Sequence, residues 1–588
     1  GIVLESALER VQQHSPDCKF VFLSPLVSNP EVFLTSYGLS ENGKSLIDDI
    51  PLVLQNVYAA KKPYRQPRVR EMHLAEQSDV LLGRMEFENP PRPADIAFKL
   101  GEQDGKTLLY ANGPAEAAKF AREITNHCEK VVDDECRQAL DDLCALSKEI
   151  VHDDFELNKC IPYGVAYHFG PMPSLLRREI ETLFKEDAIK FIACTSTLLA
   201  GVNLDAQNII LHKPRTGNKK PISSQDFWNL VGRSGRWGKD FCGNIVCADV
   251  EDWQEKKIPS RAKYKVNKAS KKLITGRTGL NDYIIRRFED GYITDLSEDV
   301  RNFNEALAAY FLGLLARKGT IIGEDALSQF DEREAFEDNL KQFLAQLRVS
   351  PDLLSQHVGV SGFALEGLYS FFETHKNEIH SFIPLPPQET GSFDRLQKIF
   401  KVIDSKMFPT FSDGRLAYDK RSNKRIYRCS KITHSWMMGQ TVATIVDAVS
   451  AARDDTSDNV IVGVLRDIDK IARFKAPKYL TAYLSVLKEY LSKIERMDLY
   501  PSDEKFLMYL EFGVGTETLL SLVEIGLDRD SALIVNKKFK ERGYDDNLNK
   551  EQVLHQLHEI DLKTWEVFKA VKNDIGFALK HNAKTQSM

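Results

Sequence analysis

Between residues 105 and 250 short continuous apolar runs alternate with amphipathic stretches. TLLYAN (107–112), PYGVAYHF (162–169), KFIACT (190–195), NIILHK (208–213) and GNIVCADV (243–250) have the length and bounding polar residues of buried strands. Helices are predicted between them: from about Pro114, from about 128 to 150, through SLLRREIETLFK, and from about Ser224. Strands alternating with helices imply a parallel sheet with right-handed crossovers, whose ligands bind at the carboxyl ends of the strands. Upstream, KFVFLS (19–24) reads as a short buried strand and NPPRPAD (89–95) as a loop or linker. Beyond about 280 the period changes to that of amphipathic helices, as in NEALAAYFLGLLARKG and KYLTAYLSVLKEYLSKIERM. VGVSGFALEGLYSFF (358–372) and FGVGTETLLSLVEIGL (512–527) both place Gly-Val before a helical run.

With 588 residues the chain is too long for one core. Its 43% hydrophobic and 28% charged residues are ordinary for a soluble protein. No apolar run approaches the roughly 20 residues that span a bilayer, so no membrane partner is expected and a cytoplasmic location is. The nine cysteines lack metal-ligand spacing; Cys128, Cys136 and Cys144 read as a buried thiol face, and no metal site is expected. A net charge of −6 excludes a uniformly basic nucleic-acid binder, so local distribution decides. Lys256 to Lys272 holds eight Lys or Arg and no acid, including Lys263, Lys265, Lys268 and Lys271. Arg415 to Lys431 holds seven basic residues, two tyrosines and one acid, Asp419. Both are candidate phosphate contacts.

Three segments carry the chemistry: GVAYHFGPMPSLLRREIETLF (164–184), CTSTLLAGVNLDA (194–206) and DFWNLVGRSGRWG (226–238). Arg233 and Arg236 lie three apart, a spacing that aims two guanidiniums the same way, and Gly232 and Gly235 leave room for close approach. Planar guanidinium pairs with phosphate oxygens in a bidentate manner, which suits stabilising the charge of phosphoryl transfer. Thr195 and Thr197 follow an apolar strand at its carboxyl end, where hydroxyls and free N–H groups can hold a nucleic-acid phosphate. His168 reads as a packed histidine.

Together these segments resemble the second RecA-like domain of superfamily-two DExH helicases of the Ski-two-like branch. That family reads T-x-T-L-x-x-G-V-N-L-P-A in motif V and Q-M-x-G-R-A-G-R in motif VI. GKTLLYANGPAEAAKFA (105–121) is similar to motif IV and LSPLVSNPEVF (23–33) to motif III with its following segment. The resemblance covers roughly residues 19–250. It implies that Arg233 and Arg236 are arginine fingers, that Thr195 and Thr197 hold the strand, and that Gly201, Asn203, Asn229 and Gly232 face ATP. Three residues depart from the pattern: Asn229 stands for Gln, Asp205 for Pro, and Ser24-Pro25-Leu26 for S-A-T.

A helicase of this kind also needs a phosphate-binding loop and a D-E-x-H acid pair for Mg2+, both before motif III. Only 23 residues precede Ser24, so these are expected outside this sequence. GLSENGKS (38–45) fits the loop pattern but follows motif III without a feeding strand, and DDEC (133–136) sits in a helical stretch; both read as decoys. The expected organisation is a remnant of the first RecA-like domain at 1–60, the second at 61–255, a linker with a winged helix at 256–400, and a helical accessory domain at 401–588. The expected function is ATP-driven unwinding of single-stranded or partly duplex nucleic acid. The alternative is a degenerate helicase acting as a nucleic-acid scaffold or regulating a partner nuclease, which the residues upstream of Gly1 would decide. The long helical C-terminus adds the expectation of anti-phage defence, as in helicases of the Hachiman type.

Overall fold

The computed structural model describes residues 7–8, 11–12, 15, 17–23, 27–36, 43–46, 54–75, 77–103, 105–196, 206–216, 220–232, 234–235, 242–266, 279–289, 293, 296–324, 327, 330, 332–357, 359–407, 410–412, 420–451, 457–500 and 505–586. The chain divides into two compact units. An α/β unit takes residues 47–264, 440–466 and 516–588; a helical unit takes 1–46, 265–439 and 467–515.

The α/β unit is built on β1 (Leu54–Lys61), β2 (Val69–Leu74), β3 (Gln77–Glu86), β4 (Thr107–Tyr110), β5 (Val165–His168), β6 (Phe191–Cys194), β7 (Asn208–His212) and β10 (Cys242–Ala248), with a small hairpin of β8 (Arg215–Thr216) and β9 (Lys220–Pro221). The sheet order is β3-β2-β1-β10-β7-β4-β6-β5. The pairs from β1 through β10, β7, β4 and β6 to β5 are all parallel, and β2 and β3 extend the sheet antiparallel. TLLY, VAYH and FIAC are buried along their whole length, as strands covered on both faces must be. This is the RecA-like parallel sheet that the apolar runs predict.

Helix starts follow their caps. Asp133 accepts the Cys136 N–H at the start of helix Asp134–Ile150, so DDEC serves as a helix cap. Ser223 accepts the Asp226 N–H ahead of helix Ser224–Val231. The Pro-rich stretch is a loop leading into helix Pro93–Gln103.

Three expectations change. The boundary drawn at residue 60 runs through β1, which pairs with β10 over its length, so this strand completes the second-domain sheet. KFVFLS forms no strand over its described residues 19–23: Phe20, Phe22 and Phe33 stack on one another while Val21 and Leu23 stay exposed, and no strand pairs with them. The apolar residues there make an aromatic cluster, which the run alone does not distinguish from a strand. Third, 401–588 is not one domain. Residues 440–466 and 516–588 fold onto the α/β unit. Arg178 reaches both oxygens of Asp574 at 2.9 Å, Lys537 reaches Glu149 at 2.7 Å, and Asp458 accepts the Glu156 N–H.

The helical unit packs Leu280–Glu289, Glu298–Lys318, Arg333–Gln346, Gly362–Thr374, Ser392–Val402, Lys420–Met437 and Ala476–Lys493 around an aromatic core that includes Phe311, Phe336, Phe372, Phe400 and Tyr483. Buried Glu305 joins three segments by accepting from Tyr283, Arg287 and Ser361. Among the described residues no strand follows Ala248, so the expected winged helix shows helices without wing strands. GLSENGKS lies outside the described residues through its first five positions, and the rest is unstructured by hydrogen bonding. Ser361 and Thr516 cap the helices of the two Gly-Val segments, which is the extent of their likeness. Among the described residues no single helix is long and apolar enough to cross a membrane.

Candidate motor site and nucleic-acid face

The sheet has two working ends. Thr195 follows the last residue of β6 at the carboxyl end, buried, with its N–H donating to the His168 carbonyl at the end of β5. His168 is fully buried, 3.4 Å from Glu181 of helix Ser174–Lys185, which agrees with a packed histidine. The hairpin β8–β9 leaves the same end of the sheet directly after β7. Its first arm is tied to the end of β4: Tyr110 Oη donates to the Arg215 carbonyl and the Arg215 N–H donates to Asn112 Oδ1, both at 2.7 Å. Lys213, Arg215 and Lys220 make this hairpin basic. Sequence reasoning missed it; the signal was the run KPRTGNKKP (213–221), four Lys or Arg around Thr-Gly-Asn, a turn signature between cations.

Beside it, β10 ends on buried Asp249, whose left-handed backbone turns the chain sharply (φ 52, ψ 51). Arg70 of β2 donates to Asp249 at 2.7 Å, and both are buried, so this pair locks the antiparallel extension to the parallel core. Lys62 reaches Asp252 at 2.6 Å. Burial lowers the pKa of His212 despite nearby Asp249, keeping the ring neutral at pH 7.

Motif VI lies at the other end. Helix Ser224–Val231 runs back along the sheet and delivers Gly232, Ser234 and Gly235 to the amino ends of β7 and β10. Ser234 bridges Ala206, the last residue of the motif V segment, and the Gly235 N–H donates to the Ala206 carbonyl at 2.8 Å. Ser234 Oγ turns back to the Val231 carbonyl at 2.9 Å. The two motifs therefore meet there, while Thr195 sits at the opposite end. The expectation that strand carboxyl ends carry all the ligand chemistry is thus corrected: the motif VI loop is at the amino ends, because a helix must return the chain before β10 can run parallel to β7. Gly243 permits the approach. A Cβ on it would stand 2.3 Å from the Ser234 carbonyl carbon and 2.5 Å from the Gly235 nitrogen.

Beneath this loop a row of side-chain amides crosses four parallel strands. Asn56 Nδ2 donates to Asn244 Oδ1 at 3.4 Å, Asn244 Nδ2 to Asn208 Oδ1 at 3.1 Å, and Asn208 Nδ2 to Thr107 Oγ1 at 3.4 Å. These residues are in register across β1, β10, β7 and β4. Each amide both donates and accepts, so the row fixes register as well as satisfying buried polar atoms.

Of the residues singled out by sequence, Asn229 is half-buried on helix Ser224–Val231 and Gly232 is exposed at its end. Arg233, Arg236, Thr197, Gly201 and Asn203 lie outside the described residues, as do Lys268 and Lys271 and motif III residues 24–26. Lys263 and Lys265 are exposed. The start of their basic run is fastened to the motif VI helix: Trp228 Nε1 donates to the Pro259 carbonyl at 3.1 Å, Ser224 Oγ to the Ser260 carbonyl at 2.6 Å, and Arg261 lies 5.5 Å from the Trp228 ring. Lys106, in a Gly-Lys-Thr sequence, is buried and pairs with Asp187 while donating to the Lys185 carbonyl, a helix-end anchor. Cys128, Cys136 and Cys144 are half-buried, and burial pushes the Cys128 thiol up to about 11. Among the described residues no three His, Cys, Asp or Glu side chains gather as a metal site needs.

Residues 143–238 match the helicase conserved C-terminal domain. The chain thus carries the second motor domain of a superfamily-two helicase, followed by a helical region. It is 28% identical over 255 residues to the Hachiman protein HamB of Bacillus cereus, 43% of this chain and 21% of that protein. It is 32% identical over 134 residues to the ATP-dependent DNA helicase Hel308 of Aeropyrum pernix, 22% of this chain and 18% of that protein. It is 36% identical over 115 residues to a Helicase POLQ-like protein of Drosophila melanogaster, 19% of this chain and 10% of that protein. The matched segments span no more than about a fifth of these relatives.

Proposed function

We propose that this chain is the second half of an ATP-driven motor that moves along and unwinds nucleic acid, with Mg2+-ATP held mainly by a first motor domain. The observation that carries the reading is the separation of the two ends joined by one segment. Residues 195–206 start beside Thr195 at the strand end of the sheet and finish at Ala206, hydrogen-bonded to the motif VI loop. A shift of that loop on ATP closure or release is transmitted along this segment to the threonine that grips a phosphate. In this reading Arg233 and Arg236 stabilise the transferring phosphoryl group, Gly201, Asn203, Asn229 and Gly232 line the nucleotide side, and Thr195 and Thr197 hold the strand. The basic hairpin β8–β9, at Thr195's end of the sheet, supports a nucleic-acid path over that end. The likeness to HamB supports a role in anti-phage defence, with a nuclease as the protein partner, in the cytoplasm.

The test is Arg236→Ala in the full-length protein. Nucleic-acid-stimulated ATP hydrolysis falls by on the order of a thousandfold, while strand binding is nearly unchanged. Turnover at the wild-type rate sinks the motif VI assignment. A wild-type protein that binds nucleic acid but hydrolyses no ATP establishes the degenerate scaffold instead.

A further inference from the structure

The second basic run of the chain folds into a surface that the motor reading does not use. In the helical unit, helix Lys420–Met437 presents Lys424, Arg425, Tyr427 and Lys431 to solvent. Between Lys424 and Lys431 there are four Lys or Arg and no acid, in a chain of net charge −6. Residues three and four apart share a helix face, so Lys424, Tyr427 and Lys431 form one stripe. On one flank Tyr427 meets Phe393 of helix Ser392–Val402 edge to face at 5.4 Å. On the other, Arg428 Nε donates to Asp467 at 2.8 Å, which seats the helix against the segment Ile468–Lys475.

That segment is a π-helix, a wide-turned form that is rare and recurs at functional sites. It presents Lys470 and Phe474, and Phe474 is 66% exposed; Tyr427 is 47% exposed. The acids of this face are already matched within it, Asp467 by Arg428 and Asp469 by Arg473 at 3.3 Å. What remains is excess positive charge carrying two outward aromatic rings. A solvated charged face has no use for an open phenylalanine, and an apolar protein interface is depleted of lysine. Bases have π-faces and phosphates have charge, so the combination of rings and cations matches a single strand.

We propose that this face binds single-stranded nucleic acid, with Tyr427 and Phe474 stacking on bases and Lys424, Arg425, Lys431 and Lys470 holding phosphates. The proposal rests on the motor reading only in that a single strand is the expected product of unwinding. The test is anisotropy of a fluorescent oligothymidylate titrated with the full chain at several salt concentrations. Phe474→Leu, which keeps apolar volume and removes the π-face, and Tyr427→Ala with Phe474→Ala should weaken binding by on the order of tenfold per ring, with an unchanged salt slope. Lys424→Gln, Lys431→Gln and Lys470→Gln together should flatten the slope by roughly 2, at about 0.7 per phosphate contact. All these side chains are solvent-facing, and thermal melting checks that each variant is folded. Wild-type affinity in the ring variants overturns the proposal, and an effect of the lysines alone reassigns the face to an acidic protein. Failure of the motor reading is read separately, in the ATP turnover of Arg236→Ala.

Discussion

Gly243→Ala isolates the contact on which the motor site rests. The added Cβ would meet backbone, the Ser234 carbonyl carbon at 2.3 Å and the Gly235 nitrogen at 2.5 Å. Ordinary contact begins at 3.4 Å, and neither atom is the end of a flexible side chain, so the loop must retreat by about 1 Å. Position 243 cannot retreat instead, because Gly243 pairs with Gln55 of β1 and its neighbour Asn244 pairs with Asn208 of β7. The retreat strains the 2.8 Å bond from Gly235 to Ala206, a loss of about 1 kcal/mol. Overpacking of this size costs about 1–3 kcal/mol in total, too little to unfold a unit of this size. Its effect on chemistry is larger: a displacement of about 1 Å in a group that positions a catalytic side chain costs on the order of a hundredfold in rate. Arg233 and Arg236 flank Ser234 and Gly235 and move with them. The expected result is a large loss of nucleic-acid-stimulated ATP hydrolysis, a small drop in melting temperature and unchanged oligonucleotide affinity. A variant that hydrolyses ATP at the wild-type rate while melting normally refutes the argument.

Thr195→Val keeps the β-branched shape and removes the hydroxyl, so unwinding should slow more than hydrolysis does; equal rates at limiting nucleic acid count against a phosphate contact there. Changing Lys263, Lys265, Lys268 and Lys271 to Gln should lower affinity for any sequence and reduce the salt slope by roughly 0.7 to 0.9 per contact, and an unchanged slope removes this run from the nucleic-acid path. Burial works to raise the pKa of Glu337, but Lys341, the Ile321 N–H and the Thr320 hydroxyl hold it down to about 2. Its folded pKa lies below its unfolded value near 4.5, so its contribution is complete above that pH and is lost as pH falls through about 2. Glu337→Gln should therefore lower the denaturation midpoint at pH 7 and flatten its acid dependence, and parallel curves for the two proteins would count against this.

The parallel core was legible because strands covered on both faces are apolar without interruption; TLLY, VAYH and FIAC have no polar member but the flanking threonine, tyrosine and histidine. Motifs V and VI were legible as spacings of Thr, Gly and Arg. Their location at opposite ends of the sheet was not, because it depends on the return of helix Ser224–Val231 and on the Ala206–Ser234 bridge, and neither leaves a local pattern. The β2–β3 extension was missed because a two-strand antiparallel edge alternates weakly: Val80, Leu81 and Leu82 are all exposed. The allocation of residues 440–466 and 516–588 to the α/β unit rests on pairs such as Arg178–Asp574, 396 residues apart, and amphipathic period says which face is buried but not against what. The second basic run was visible as charge, yet only the fold showed Tyr427 and Phe474 on neighbouring segments.

The returning C-terminal helices also bear on how this protein is made. The chain leaves the α/β unit after residue 264, builds much of the helical unit, comes back for 440–466, leaves again and comes back at 516. During synthesis the sheet can form early, since β1 to β10 lie within residues 54–248. The outer faces of helices Asp134–Ile150 and Ser174–Lys185 then wait for partners more than 300 residues downstream, at roughly 5–20 residues per second. For tens of seconds at that rate, Arg178 has no Asp574 and the strand-gripping end is in place before its brace. A nascent motor domain of this design is a chaperone client by construction, and cleavage within 516–588 should loosen a sheet whose last strand ended at Ala248.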